Sequence, residues 1–170
     1  DPLRSDARAV IAQLHAAGIK VSLLSGDRDA AVRAVASTLE IADAQAGLSP
    51  VEKTERLRAM KDSGAQVLMV GDGLNDAPSL AAASVSMSPA NAMDIVQNTA
   101  DIVFQGEALA PVMESWRVAR ASQRLVRQNF IIAILYNVVA IPMAVFGMVT
   151  PLIAAIAMSS SSLLVVGNAL

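Results

Sequence analysis

Asp72 and Asp76 stand four residues apart in the turn Gly71-Asp72-Gly73-Leu74-Asn75-Asp76-Ala77-Pro78, whose residue types suit a hard cation and a phosphate. Two carboxylates set across a tight turn can converge on one ion. Mg²⁺ takes oxygen ligands, often one or two carboxylates, with phosphate oxygens and water completing the shell. Gly71 and Gly73 would let the backbone approach a phosphate and adopt positive φ where required. Two polar elements precede this turn. Ser25-Gly26-Asp27 offers a hydroxyl and exposed N–H groups to phosphate oxygens, and Lys53 offers an ammonium that acts on phosphate as a point charge. Each has a plainer reading: an Asp-capped turn, a serine closing a strand, a solvated lysine. Their order and spacing around the aspartates favour a common site.

The elements that must position these groups follow from apolar patterning. Val67-Leu68-Met69-Val70 runs straight into the turn and reads as a strand buried on both faces. That places the polar cluster at a strand's carboxyl end, where open α/β sheets hold their ligands. Further strands are expected at 19–24, 41–46, 85–87 and 101–104. Helices are expected at 6–17, 29–39, 50–61, 77–83 and 90–97, with Ala9, Val10, Leu14 and Ala17 inward on the first and Val32 and Val35 inward on the second. Ser49-Pro50-Val51-Glu52 reads as an N-cap, a proline at the first helical position and an acidic first turn, which sets Lys53 near a helix start. Strands alternating with helices of this length imply an α/β fold with a doubly wound, mostly parallel sheet.

Charged residues make up 16% of the chain, against about 25% in ordinary globular domains. The deficit is local, because residues 128–170 carry no Asp, Glu, Lys or Arg. Such a stretch suits two membrane spans of ~20 residues each, at 129–148 and 150–170, with Gly147 and Pro151 in the turn and Pro142 kinking the first. Arg117, Arg120, Arg124 and Arg127 abut the first span, so the α/β part is expected in the cytoplasm. The divisions are then 1–108 for the α/β domain, 109–128 for a connecting helix and 129–170 for the spans. Trp116 is a candidate interfacial anchor, and His15 reads as a helix-surface residue. The absence of cysteine rules out disulfides and thiolate metal sites within this chain. A net charge of −2 without a basic tract argues against nucleic acid. The N-terminus is acidic and polar rather than a signal peptide, and without an initiator Met a fragment is expected.

Within the spans, Tyr136-Asn137 and the face shared by Met158, Ser161 and Ser162 are the polar candidates. A thioether is a soft ligand that favours Cu(I), although serines and small residues also pack membrane helices. A divalent ion would want an intramembrane carboxylate, and neither span has one.

Taken together, Ser25-Gly26-Asp27, Lys53 after Pro50, and Gly71-Asp72-Gly73-Leu74-Asn75-Asp76-Ala77-Pro78 resemble the haloacid-dehalogenase-like phosphorylation domain of P-type ATPases. Asp1-Pro2-Leu3-Arg4 is similar to the segment that re-enters that domain after the nucleotide-binding insert. The resemblance implies that Asp72 helps to hold Mg²⁺, with Asp76 supporting it and Lys53. Ser25, at a position more often Thr, would contact the transferred phosphoryl group within the Ser25-Gly26-Asp27 element, and Asn75 would orient loop and phosphate. ATP is then the substrate. Tyr-Asn in one span and Met-x-x-Ser-Ser in the next resemble the copper(I) subgroup. Val85-Ser86-Met87-Ser88-Pro89 and the serine run look most like the copper pumps of haem–copper oxidase assembly. The resemblance places the chain in a multi-pass membrane protein, in bacteria the inner membrane. The nucleophilic Asp of an Asp-Lys-Thr-Gly-Thr motif is not in this sequence, so the chain alone is expected neither to autophosphorylate nor to transport. Expected partners are membrane lipid, the actuator, the nucleotide-binding domain and other spans of the pump, and a copper chaperone. The alternative is a membrane-anchored phosphatase of the haloacid dehalogenase superfamily, which would need an upstream Asp-x-Asp.

Overall fold

The computed structural model describes residues 3–169, which divide into two units, the first ending at Glu114 and the second beginning at Ser115. In the first unit helices and strands alternate: α1 (Ala7–Ala16), β1 (Ser22–Leu24), α2 (Asp29–Leu39), β2 (Asp43–Gln45), α3 (Pro50–Asp62) and β3 (Leu68–Val70). A 3-10 turn at Leu74–Asp76 then leads into α4 (Ala77–Ala82), β4 (Val85–Pro89), α5 (Asp94–Thr99) and β5 (Ile102–Phe104). All described strand pairs are parallel, as alternating strands and helices require. The class is therefore the parallel α/β arrangement expected.

The strands form two sheets rather than one continuous sheet: β1 pairs with β2, and β3, β4 and β5 lie in that order. Among the described residues β1 and β3 each have a neighbour on one side only. This corrects the reading of Val67-Leu68-Met69-Val70 as a strand buried on both faces. Leu68 is 40% exposed and Met69 and Val70 are half-buried. An apolar run shows that a strand prefers burial, but it does not say whether another element packs over each face; Val85, paired with Leu68 on β4, is likewise 42% exposed.

The core forms where helices cover the three-stranded sheet. Leu57, Leu80, Met87 and Val96 are at most 2% exposed, and Met87 clusters with Phe104 and Val112, flanked by Val70 and Leu109. On α1 the buried stripe is Ala7, Val10, Ile11 and Leu14, an i, i+3, i+4, i+7 pattern. Ala9 is exposed and Ala17 only half-buried, so the stripe is turned by a fraction of a helical turn from the expected one. On α2 the buried set is Val32, Ala36 and Leu39, with Val35 at its margin. The fifth helix is shorter than expected. Residues 90–93 instead form a turn, in which Ala90 N–H donates to the Phe104 carbonyl at 2.7 Å.

Two long helices follow. Helix α6 (Ala110–Val145) opens in the first unit and runs without a break for 36 residues, with Pro142 inside it. At 1.5 Å per residue it is ~54 Å long, well beyond the ~30 Å of a bilayer's hydrocarbon. Gly147, at φ 70°, ends the helix, and α7 (Pro151–Ala169) returns. Phe130, Leu135, Val139, Phe146, Leu152 and Leu163 are all more than 60% exposed. So many exposed large apolar side chains in one unit are the signature of a surface meant for lipid. In this unit Asn168 Nδ2 donates to Asn129 Oδ1 at 2.9 Å, and the Arg120 guanidinium lies 5.3 Å from the Trp116 ring centroid, a cation–π geometry.

Candidate functional site

Lys53 is placed by the start of α3. Ser49 caps that helix through a complete capping box: its hydroxyl accepts from Glu52 N–H at 3.3 Å, and Glu52 Oε2 accepts from Ser49 N–H at 2.8 Å. The Ser49 hydrogen bonds hold the Glu52 carboxyl below its ordinary pKa. Thr54, one residue past Lys53, is buried against Ser79 of α4 with their hydroxyls 3.3 Å apart. The helix is thereby pinned on both sides of the lysine, and Lys53 Nζ donates to Asp76 Oδ1 at 2.8 Å. Both side chains are nearly enclosed, at 12% and 16% exposure.

Asp76 also receives Gly73 N–H on its other oxygen, at 3.4 Å. The loop closes so tightly on it that a Cβ at Gly71 would lie 2.9 Å from Asp76 Cβ, and one at Gly73 would lie 3.2 Å from Asp76 Oδ2. Neither glycine has positive φ. What demands glycine here is the approach of the Asp76 side chain, which the sequence did not suggest.

Asp72 sits differently. Its side chain is 61% exposed and its Oδ2 accepts from Arg4 at 3.0 Å. Arg4 also donates to the Glu107 carbonyl at 2.6 Å. Asn75 lies exposed on the 3-10 turn between the two aspartates. At the end of β1, the Ser25 hydroxyl donates to Asp27 Oδ2 and accepts from Asp27 N–H, both at 3.1 Å, which makes a self-contained turn. The loops after β1 and β2 are zipped together by Ser25, Asp27, Gln45, Gly47 and Leu48 backbone bonds, and Gly26 packs against the Leu48 carbonyl. The structure thus joins Lys53 to Asp76. Among the described residues no hydrogen bond ties Ser25, Gly26 or Asp27 to Lys53, Asp72 or Asp76.

Asp72 fits Mg²⁺ by the chemistry of its donor set: an accessible carboxylate beside an ammonium that neutralises its neighbour, with no third carboxylate or imidazole grouped with them among the described residues. Such a site leaves coordination positions to water and phosphate oxygens, as Mg²⁺ prefers. Asp76, with its oxygens on Lys53 and Gly73, is oriented to hold the lysine.

Two carboxylates outside the expected set prove structural. Asp101 accepts from Ser86 N–H and hydroxyl, both at 2.8 Å, and the hydroxyl bond in first place lowers its pKa. Asp6 Oδ2 accepts from Ala110 N–H at 2.7 Å, at the head of α6. The Leu109 backbone N–H is the main influence holding the Asp6 carboxyl below its ordinary range, with burial opposing and Ala110 reinforcing. A depressed folded-state pKa stabilises fully above the unfolded value of about 3.9. That contribution is lost as pH falls through the lowered value.

In the second unit Tyr136 and Asn137 lie on α6, and Met158, Ser161 and Ser162 on α7. Asn137 Nδ2 donates to the Ala133 carbonyl, and the Ser159 and Ser160 hydroxyls donate to the Ala155 and Ile156 carbonyls. The Ser161 and Ser162 hydroxyls make no such bond among the described residues, and Met158 is 66% exposed.

The haloacid dehalogenase-like hydrolase family matches residues 1–84. The nitrogen fixation protein FixI of Bradyrhizobium diazoefficiens is 56% identical over 168 residues, covering 99% of this chain and 23% of that protein. A probable cation-transporting ATPase of Haemophilus influenzae is 38% identical over 170 residues, covering 100% of this chain and 24% of its own length. Among solved structures, a zinc-transporting PIB-type ATPase in the E2.Pi state is similar over 99% of this chain and 28% of its own, at 32% identity and a TM-score of 0.90. The chain spans about a quarter of the length of the curated relatives it matches.

Proposed function

We propose, from this chain's membership of the heavy-metal P-type ATPases, that it serves an ATP-driven pump for a soft monovalent metal ion, Cu(I). In that pump it supplies the Mg²⁺ and phosphate half of the phosphorylation domain and two membrane spans. Phosphoryl transfer is mostly positioning and charge neutralisation. Lys53, fixed by the capping box and by Asp76, supplies a positive charge to a phosphoryl oxygen, and Asp72 is the carboxylate that holds Mg²⁺. Mg²⁺ when bound neutralises charge on the phosphoryl oxygens. On this reading Ser25 and Gly26, at the end of β1, contact the transferred phosphoryl group. The side of β3 away from β4, which has no partner strand among the described residues, supports an additional strand contributed by the rest of the pump, bringing the nucleophilic aspartate. The α/β unit is cytoplasmic on this reading, since Arg117 to Arg127 precede the uncharged spans.

The observation that carries the ion assignment is the lack of any charged residue in 128–170, together with a thioether and two hydroxyls, unengaged among the described residues, on one face of α7. A neutral soft site suits Cu(I) better than Zn²⁺. Metal-stimulated ATP turnover by the whole pump carrying this segment tests it. Met158→Leu should lower Cu(I)-stimulated turnover several-fold and leave nucleotide binding unchanged. Unchanged Cu(I) turnover, or a Zn²⁺ response larger than the Cu(I) response, overturns the assignment.

A further inference from the structure

The two arms of Arg4 end on different parts of the first unit. One guanidinium nitrogen donates to Asp72 Oδ2 at 3.0 Å, and the other donates to the Glu107 carbonyl at 2.6 Å, three residues before α6. Its side chain is 25% exposed, whereas the Asp72 side chain is 61% exposed. The arginine is therefore anchored from behind and extends one arm to a carboxylate that stands largely in water. An exposed ion pair is held loosely, but a guanidinium that already has a second fixed acceptor loses less freedom in making the first. Asp76 has no such visitor, because its oxygens are taken by Lys53 and Gly73. Of the two loop aspartates, only Asp72 is partnered by a group that can be displaced without exposing a buried charge.

We propose that Arg4 is a positioning residue that acts as the counter-ion of Asp72 while the cation is absent and is displaced when a divalent cation binds. The proposal rests on the reading of Asp72 as the Mg²⁺ carboxylate. Its physical content is competition. A guanidinium at 3.0 Å opposes a second positive charge on the same carboxylate, so it weakens metal binding while keeping the carboxylate aimed. The same side chain, through Glu107, sits beside the start of α6, so the exchange takes place next to the helix that continues into the spans.

The test is a Mn²⁺ titration of the full chain in detergent micelles, reading free Mn²⁺ by electron paramagnetic resonance, with Mg²⁺ as competitor. Arg4→Gln and Arg4→Met, the second keeping an apolar stem, should each tighten the Mn²⁺ Kd about three- to tenfold. Arg4→Lys keeps the charge and should remain within about twofold of the parent chain. Arg8→Gln removes an equal charge that pairs with Glu40 at 3.8 Å elsewhere on the surface, and should change nothing. Asp72→Asn should weaken binding at least tenfold. If Asp72→Asn weakens binding while Arg4→Gln and Arg4→Met leave it unchanged or weaker, the role of Arg4 is overturned and the Mg²⁺ assignment stands. An equal gain from Arg8→Gln also overturns it, because the effect would then be one of net charge. Unchanged binding in Asp72→Asn overturns the Mg²⁺ reading and the Arg4 proposal with it.

Discussion

Between Asp72 and Asp76 lie only three residues, yet the first has a side chain 61% exposed and the second 16%. Asp76 is enclosed by two glycines and bonded to Lys53, whereas Asp72 projects outward to an arginine from a distant part of the chain. The same carboxylate on the same loop is in one case a fixed internal strut and in the other an accessible ligand. The difference comes from what the surrounding backbone allows, since the 3-10 turn folds residue 76 back over Gly71 and Gly73 and leaves residue 72 on the outside. An enclosed ion pair is costly to break, because the remaining charge is left without compensation. An exposed one is nearly free to exchange.

The sharpest way to break this contrast is Asp76→Ala. It leaves the Lys53 ammonium enclosed and unpaired, and should lower the local stability of α3 and α4 by about 2–4 kcal/mol. Amide hydrogen exchange of the detergent-solubilised chain reads that loss. A change under about 0.5 kcal/mol would put Asp76 in the same solvent-screened class as Asp72. Next comes Gly71→Ala, whose new Cβ would meet Asp76 Cβ at 2.9 Å. Backbone or side chain must move, at a cost of about 1–3 kcal/mol. The same exchange measurement should show the opening centred on residues 71–77, and no loss would mean the loop has slack. Asp72→Asn is the smallest of the three. It should leave exchange within about 0.5 kcal/mol of the parent, since Asp72 stands largely in water and Arg4 keeps its bond to the Glu107 carbonyl. A larger loss would show the Arg4 pair to be structural.

What could be read from the sequence was what is locally encoded. The Ser49-Pro50-Val51-Glu52 cap, the span of α2, the turn from Gly71 to Pro78 and the break at Gly147 all depend on neighbours within a few positions. The pairing of Lys53 with Asp76 is what the family resemblance implies, although its 2.8 Å geometry required the fold. Four features lay beyond local pattern. Arg4 reaches Asp72 across 68 positions and Asp6 reaches Ala110 across 104, so neither contact leaves a periodic trace. The exposure of Leu68 depends on what packs over that face of the sheet, and the composition of β3 carries no information about that. Asp101 carries no local sign of its role, because the serine it accepts from is on the neighbouring strand, 15 positions away.

The contact of Asp6 with Ala110 also decides how this molecule can be divided. The first N–H groups of a helix need acceptors, which usually come from the residue just before it. Here the acceptor of the Ala110 N–H comes from a residue that the chain laid down 104 positions earlier. The smallest portable piece containing the head of α6 is therefore discontinuous. A hairpin grafted from one relative into another and cut near residue 106 would arrive without its cap. A graft that carried residues 4–6 along with the helix would keep its beginning.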